Sequence, residues 1–199
     1  MQFKKNVYFC RSKNKVYIEY MKRIKLLDKE FEISIPASDI KEAIWKIADK
    51  INADLKDKNP VMVCILNGSF MFSADLLKLI KFPCQISFVK LASYEGTGSS
   101  GKVKELIGFN EELSGRTVLL LEDIVDSGLT LKNCIKQVQK AGAKEVIVAT
   151  LLFKPNALKE DINLDYIGIE IPNDFIVGYG LDYNGYGRNL PDIYKIVNE

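Results

Sequence analysis

Residues 117–131 constrain the fold of this chain more than any other stretch. They form the run Thr-Val-Leu-Leu-Leu-Glu-Asp-Ile-Val-Asp-Ser-Gly-Leu-Thr-Leu. An apolar run from Val118 to Leu121 ends in two adjacent acids, Glu122 and Asp123. After a short polar turn, apolar side chains recur at the three- and four-residue spacing of one helix face. The segment therefore predicts a strand, a loop and a helix, with carboxylates at the carboxyl end of the strand.

The predicted loop has the composition of a ligand site. It carries a third acid, Asp126, followed by the small or polar residues Ser127, Gly128 and Thr130. Ligands bind at the carboxyl edge of open α/β sheets, and backbone N–H groups at a helix start suit a phosphate. Carboxylates beside a phosphate would repel it unless they serve another part of the ligand. Ribose hydroxyls, a magnesium ion and a proton awaiting removal are the candidates.

The rest of the chain alternates between strand and helix patterns. Continuous apolar runs suited to buried parallel strands lie at 61–66, 86–91, 146–153 and 166–171, and helical patterns lie at 40–55, 70–80 and 131–141. This alternation predicts a parallel α/β sheet. Ser38 or Asp39 is expected to cap the first helix, with Glu42 completing a capping box.

Composition excludes several kinds of chemistry. The 199 residues suggest one domain, and 47% hydrophobic and 27% charged residues are ordinary for a soluble globular protein. The chain has no histidine, so acid–base work must fall to Asp, Glu, Lys or Tyr. Cys64 and Cys134 are expected to be small buried hydrophobic residues, in keeping with a reducing cytosol. With no membrane-length apolar run and no signal-peptide pattern, a cytoplasmic location is expected.

Charge gives little indication of a macromolecular partner. The net charge is +2, although residues 1–30 carry nine Lys or Arg against three Asp or Glu. A basic end can contact nucleic acid, but solvated basic ends are common. We therefore expect neither a nucleic-acid nor a membrane partner.

The loop at 96–101 matches two well-known nucleotide motifs. Its sequence, Gly-Thr-Gly-Ser-Ser-Gly, fits the dinucleotide fingerprint, and with Lys102 it fits a P-loop up to Val103, where a hydroxyl is needed. Both motifs must open a helix, yet Gly108 follows soon after. The acid pair at 122–123 falls near the distance that the dinucleotide motif requires, so that alternative stays open. A flexible Gly/Ser surface loop is the favoured interpretation.

The central segment closely resembles the ribose-phosphate binding motif of type I phosphoribosyltransferases, which use phosphoribosyl pyrophosphate. The resemblance covers about residues 22–197 and indicates the hypoxanthine(-guanine) phosphoribosyltransferases of purine salvage. Four further segments carry it: Leu-Asn-Gly-Ser at 66–69, Lys154, the stretch 172–184 and Arg188. Many members have Lys where this chain has Asn67.

That resemblance implies a fold and a domain organisation. The fold would be a central, mainly parallel twisted sheet flanked by helices, with a small hood formed by the N- and C-terminal segments. Residues 1–20 would be an extension, and 21–199 a single phosphoribosyltransferase domain.

The same resemblance implies roles for individual residues. Asp126 would take the proton from purine N7 as general base. The other implied contacts are Asp126, Ser127, Gly128, Leu129 and Thr130 for the 5′-phosphate, Glu122 and Asp123 for ribose, Lys154, Phe175 and Ile176 for the purine, Asn67, Gly68 and Arg188 for pyrophosphate, Asp182 with Glu122 and Asp123 for Mg²⁺, and Ser93 and Tyr94 for an active-site lid.

The implied activity is synthesis of IMP, and of GMP from guanine, with Mg²⁺ as cofactor and in a homodimer or homotetramer. The alternative is a regulatory protein on the same fold that binds phosphoribosyl pyrophosphate or RNA without catalysis. Three of these residues also have simpler interpretations. Lys154 could be a solvated loop lysine, and Asp182 with Arg188 could form a surface ion pair of little energetic value.

Removal of residues 1–20 is expected to leave folding and turnover intact, because no matched segment precedes Met21. The check is to compare soluble yield and specific activity of the full chain and a protein starting at Met21. A large loss of either would show that the basic segment belongs to the core or to an oligomer contact.

Overall fold

The computed structural model describes residues 23–92, 104–109 and 111–197. The expected N-terminal extension and the expected lid residues, Ser93 and Tyr94, lie outside these ranges. The described elements are β1 (Arg23–Leu26), β2 (Lys29–Ile35), α1 (Ala37–Leu55), β3 (Val61–Ile65), α2 (Phe70–Leu77), β4 (Gln85–Ala92), β5 (Lys104–Ile107), β6 (Thr117–Val125), α3 (Leu129–Lys140), β7 (Glu145–Phe153), β8 (Tyr166–Glu170), β9 (Ile176–Val177) and β10 (Ile193–Ile196).

The larger sheet has six strands in the order β5-β4-β3-β6-β7-β8. Strands β4, β3, β6, β7 and β8 are parallel neighbours, and β5 pairs antiparallel with β4 at one edge. The central strand β3 is buried along its whole length, as expected for a parallel strand covered on both faces. The predicted mainly parallel sheet is confirmed.

Alternate residues of β6 enter two separate hydrophobic clusters. Leu119 and Leu121 pack in the cluster that contains the buried residues of α1 and α2. Val118 and Leu120 pack in the cluster that contains the buried residues of α3. Helices therefore cover both faces of the sheet, because successive strand residues point to opposite sides. None of the helices in the described ranges is long and apolar enough to cross a bilayer.

A second sheet joins the two ends of the described chain. Its order is β1-β2-β10-β9, with antiparallel pairing throughout. Phe31, Val177 and Tyr194 form its small buried cluster. This sheet is the hood that the family resemblance implied. Because β9 and β10 belong to it, the hood also positions the 178–192 segment between them.

The predicted cap of α1 is wrong. The helix begins at Ala37, and the Ser38 hydroxyl donates to the neighbouring Asp39 carboxylate instead of capping the helix. The Ala37 N–H donates to Asp192 Oδ1 at 2.7 Å, from a residue 155 positions away. Glu42 pairs with Lys46 on the exposed face. A carboxylate from the hood satisfies the helix start, which no local pattern could indicate.

The residues after the Gly/Ser loop do not form a helix. Lys104–Ile107 form strand β5, which pairs antiparallel with β4. Both the P-loop and the dinucleotide interpretations require a helix at this point. Neither interpretation therefore fits the structure.

Candidate active site

The paired acids lie inside β6 and not after it. Glu122 pairs in register with Thr150 of β7, and the strand continues to Val125 opposite Phe153. Glu122 and Asp123 are each only 8% exposed. The carboxylates therefore lie at the carboxyl end of the strand, as the sequence predicts, and pairing with β7 extends the strand two residues beyond Asp123.

Burial raises the pKa of both carboxyl groups. Burial, and then the charge of Asp123, raise the pKa of Glu122 well above its ordinary value. Burial raises the pKa of Asp123 to about 6, although backbone N–H groups and the Arg188 charge oppose this rise. Within the described part of the chain, Glu122 Oε2 is buried without a hydrogen-bond partner. A buried acceptor left in this state favours a ligand that brings hydroxyl donors or positive charge.

Asp123→Asn should stabilise the ligand-free protein in a pH-dependent way. The folded-state pKa of about 6 lies above the ordinary 3.8, so ionisation of Asp123 destabilises the fold progressively as pH rises through this window. The substitution should raise the free energy of unfolding at pH 8 by up to about 3 kcal/mol, and by almost nothing near pH 4. Urea unfolding at the two pH values measures this. An equal change at both would assign the effect to packing instead of charge.

The loop after β6 leads directly into α3. Gly128 has φ of 81°, a conformation in which any other side chain is strained, and a Cβ there would lie 2.9 Å from Leu158 Cδ1. The Ser127 carbonyl accepts a hydrogen bond from the Lys159 N–H at 3.1 Å. Since α3 starts at Leu129, its first N–H groups adjoin this loop, as a phosphate site requires.

Lys154 and Asp126 form an ion pair at the carboxyl ends of β7 and β6. Lys154 Nζ lies 3.0 Å from Asp126 Oδ2. The Lys154 side chain is 9% exposed, whereas that of Asp126 is 55% exposed. Lys154 is therefore not a solvated loop lysine. Its ammonium group is held beside an accessible carboxylate, which leaves the Asp126 side open to a ligand.

Phe175 presents an accessible aromatic ring in the segment between β8 and β9. The ring is 45% exposed and meets Tyr183 edge-on, with centroids 5.8 Å apart and an angle of 83°. The Tyr183 hydroxyl donates to Asp28 at 2.8 Å, and Phe31 packs 6.3 Å from Phe175. Phe31 and Tyr183 therefore hold the Phe175 ring in place, and its exposed part can stack on a flat ligand. Ile176 packs its side chain in the core, so a purine could meet it only through its backbone.

Arg188 and Asp182 are tied together in the hood. Arg188 Nη2 lies 2.6 Å from Asp182 Oδ1, and Arg188 Nη1 donates to the Gly180 carbonyl at 2.7 Å. The second Asp182 oxygen accepts the Gly185 N–H at 2.7 Å. Asp182 and Arg188 are each 29% exposed, and their charges also act on the buried Asp123. The pair is therefore largely shielded from solvent, and its charges reach Asp123 of β6.

The 66–69 loop packs onto the same acids. A Cβ on Gly68 would lie 1.6 Å from an Asp123 carboxylate oxygen, so only glycine fits there. Asn67 is exposed, and the Ser69 hydroxyl donates to the Ile65 carbonyl at 2.6 Å. The structure therefore brings the predicted pyrophosphate loop, the β6 acids and the Asp182–Arg188 pair into one region.

Two residues of this region, the buried Tyr179 and the partly exposed Asp75, do not stand out in the sequence. Tyr179 donates its hydroxyl hydrogen bond to Asp75, a residue of α2, at 2.5 Å. The only sequence signal is that Tyr179 stands between two glycines, Gly178 and Gly180.

The three predicted metal ligands do not form a ready-made metal cluster. Across 23–92, 104–109 and 111–197, no group of three or more His, Cys, Asp or Glu residues is placed to hold a metal ion. Glu122, Asp123 and Asp182 nevertheless offer only oxygen donors, and one of those oxygens is buried without a partner. This suits Mg²⁺, which keeps several waters and binds one or two carboxylates together with substrate phosphates.

The class of protein follows from comparison with known families. The sequence model of the phosphoribosyl transferase domain matches residues 36–184, which span the larger sheet and every segment of the site except Arg188. The chain belongs to this family. Hypoxanthine-guanine phosphoribosyltransferase of Streptococcus pneumoniae strain R6 is 40% identical over 169 residues, covering 84% of this chain and 94% of the relative. Within the family, the chain therefore belongs with the hypoxanthine-guanine phosphoribosyltransferases.

Two further relatives show how the chain compares in length and fold. A crystal structure of hypoxanthine phosphoribosyltransferase from Staphylococcus aureus is similar with a TM-score of 0.79 and 37% identity, covering 83% of this chain and 91% of that one. The bifunctional protein TilS/HprT of Listeria innocua is 38% identical over 198 residues, which is 96% of this chain. The chain spans only 31% of the length of that relative.

Proposed function

We propose that this protein transfers the 5-phosphoribosyl group of phosphoribosyl pyrophosphate to N9 of hypoxanthine, and of guanine, releasing pyrophosphate and giving IMP or GMP. The observation that carries this proposal is the Lys154–Asp126 pair, a buried ammonium beside an exposed carboxylate. A 6-oxopurine offers complementary groups on adjacent atoms, namely an oxygen that accepts and an N7 proton that can be donated.

Purine recognition would use both members of the pair. The Lys154 ammonium donates to the 6-oxo group, and Asp126 accepts the N7 proton as N9 bonds to ribose C1. Without a purine, each partner satisfies the other at 3.0 Å. The half-exposed ring of Phe175 offers a stacking face for the base. Together these contacts orient the base and hold the atom that must accept a proton.

The ribose and its phosphate would lie along β6 and the loop after it. Departure of pyrophosphate leaves an oxocarbenium-like centre at C1, as in glycoside cleavage. Glu122 and Asp123 bind the ribose hydroxyls, and a hydroxyl gives Glu122 Oε2 the hydrogen bond that it lacks. The two carboxyl groups also add negative field near that centre. Backbone amides from Asp126 to Thr130, which include the first N–H groups of α3, hold the 5′-phosphate.

Pyrophosphate would meet the loop 67–69 and Arg188. Arg188 has five N–H donors, so it can keep its bond to the Gly180 carbonyl while it offers others to the leaving group. Asp182, directly or through water, and the β6 acids are the residues that would hold Mg²⁺. When bound, Mg²⁺ supplies charge neutralisation for the leaving pyrophosphate.

Ser93 and Tyr94 would close over the site. Closure excludes water, which otherwise hydrolyses an activated ribose. Both residues lie outside the described ranges, so this role rests on the family resemblance.

We further infer a cytoplasmic homodimer or homotetramer. The exposed apolar side chains of Ile86 and Phe88 on one face of β4 support self-association, because large exposed hydrophobic residues often mark contacts. Light scattering on the purified chain measures the oligomeric state.

One assay separates the enzyme from its regulatory alternative. Hypoxanthine, guanine, xanthine and adenine are offered separately with phosphoribosyl pyrophosphate and Mg²⁺, and pyrophosphate release is measured. We expect turnover with hypoxanthine and guanine. No regulator is among the relatives described above, but absence of turnover with every base would favour that alternative.

A further inference from the structure

Two loops of the proposed pyrophosphate site touch through their backbones. A Cβ on Gly180 would lie 2.0 Å from the carbonyl oxygen of Gly68, so the 178–182 segment rests directly on the 66–69 loop. Gly180 has φ of 100°, and neither glycine has a side chain to hold this spacing. Something else must fix the separation of the two loops.

Tyr179, which stands between Gly178 and Gly180, is anchored by its side chain and by its backbone. Tyr179 is 5% exposed and packs in the core. Its N–H donates to the Leu190 carbonyl at 2.8 Å, and the next N–H, of Gly180, donates to the Arg188 carbonyl at 2.9 Å. Tyr179 therefore holds the hood segment from which Asp182 and Arg188 project.

The hydroxyl of Tyr179 reaches the element that carries the other loop. It donates to Asp75 Oδ2 at 2.5 Å. Asp75 belongs to α2, which begins at Phe70 immediately after the 66–69 loop, and the Ser73 N–H donates to the Ser69 carbonyl at 2.8 Å. The hydrogen bond thus links α2 and its loop to the hood.

The protonation states of the two partners strengthen the hydrogen bond between Tyr179 and Asp75. Burial opposes ionisation of Asp75, but hydrogen bonds from Lys78 and Tyr179 outweigh it and lower the pKa of the carboxyl. Burial and the Asp75 carboxylate raise the pKa of the Tyr179 hydroxyl, which keeps its proton to donate. Hydrogen bonds to an ionised partner are stronger than neutral ones.

We propose that Asp75 and Tyr179 are positioning residues for pyrophosphate, because their hydrogen bond sets the spacing between the 66–69 loop and the segment that carries Asp182 and Arg188. This inference rests on the proposed function, since it concerns the pyrophosphate half of that site. Neither side chain touches substrate. Lys154 and Phe175, which form the purine half, take no part in this hydrogen bond.

Tyr179→Phe removes the hydroxyl and keeps the buried ring. We expect the KM for phosphoribosyl pyrophosphate and the inhibition constant of pyrophosphate to rise roughly 10-fold, since small misplacements of binding groups are costly. The KM for hypoxanthine and kcat should stay within about twofold, the pattern of a lost binding contact. Asp75→Ala should match Tyr179→Phe, and the double variant should add little to either. Asp75→Asn keeps an accepting oxygen and should retain much of the wild-type affinity.

Tyr166→Phe is the matched control. Tyr166 is also buried, and its hydroxyl donates a hydrogen bond to the Asp54 carboxylate at 3.0 Å. This bond joins β8 to α1, and neither element carries the 66–69 loop or the 178–182 segment. Tyr166→Phe should lower stability to a similar degree and leave both KM values unchanged. If Tyr179→Phe only lowers stability, as the control does, or raises both KM values equally, the positioning role is wrong.

Calorimetry with pyrophosphate and Mg²⁺ separates this inference from the proposed function, because it requires no turnover. Weaker pyrophosphate binding in Tyr179→Phe than in the unsubstituted protein supports the positioning role even if no base is converted. Equal binding in both proteins overturns it, whatever the activity assay shows.

Discussion

Asp126→Asn should lower kcat by roughly 10²–10⁴-fold, the usual contribution of a general base. The amide keeps the size of the side chain and leaves the loop amides for the 5′-phosphate in place, but it cannot accept the N7 proton. The Lys154 ammonium still finds an oxygen at this position, so the fold of the loop should persist. Steady-state pyrophosphate release measures kcat, and calorimetry with IMP measures product binding, which should change little.

Asp161→Asn provides the control for that result. Asp161 is an exposed aspartate of the segment that follows β7, so the same change in charge there should leave kcat unaltered. A kcat for Asp126→Asn within a few-fold of the original protein would remove Asp126 from the mechanism.

Adenine should be a negligible substrate. Lys154→Gln should reduce the preference for hypoxanthine over adenine. An ammonium only donates hydrogen bonds, so it suits a 6-oxo group and opposes the 6-amino group of adenine. Sites that hydrogen-bond a specific group reject its analogue by about 10⁴-fold or more, since the buried donor is left unpaired. Because Lys154 is 9% exposed, water cannot readily satisfy it in an adenine complex. Glutamine offers both a donor and an acceptor.

The measurement is kcat/KM for hypoxanthine and for adenine in both proteins. Lys154→Gln should weaken the hypoxanthine reaction and reduce the ratio of the two values. Lys46→Gln, at a position whose side chain is 65% exposed on α1, should change neither value. Efficient use of adenine by the original chain, or an unchanged ratio in Lys154→Gln, would contradict the assignment of Lys154 to the 6-oxo group.

Most of the larger sheet could be predicted from the sequence. The apolar runs at 61–66 and 146–153 correspond to β3 and β7, because a strand buried on both faces needs a continuous apolar stretch. The helix predicted at 70–80 ends at Leu77, and the strand β5 was not predicted. Short edge strands depend on a neighbour for their hydrogen bonds, so their own sequence carries little signal.

The candidate site was predictable where its residues form compact local patterns. A loop follows β6 and leads into α3 as expected, because small residues and a change of hydrophobic period mark it locally, although α3 begins at Leu129, two residues before the predicted helical pattern. The burial of Glu122 and Asp123 was not predictable. It depends on the pairing of β6 with β7 and on Gly68, which packs against the Asp123 carboxylate from a distant part of the chain.

The sequence by itself determined the periodicity of the elements, the absence of histidine chemistry, and the residues that match a known family. The tertiary structure alone decided how separate segments complete one another. Lys154 meets Asp126 across 28 residues, Asp192 satisfies the start of α1 from the hood, and Tyr179 reaches Asp75 on α2. The physical reason is that periodicity and capping propensity act within a few residues, whereas these contacts depend on strand order and on the path of the hood.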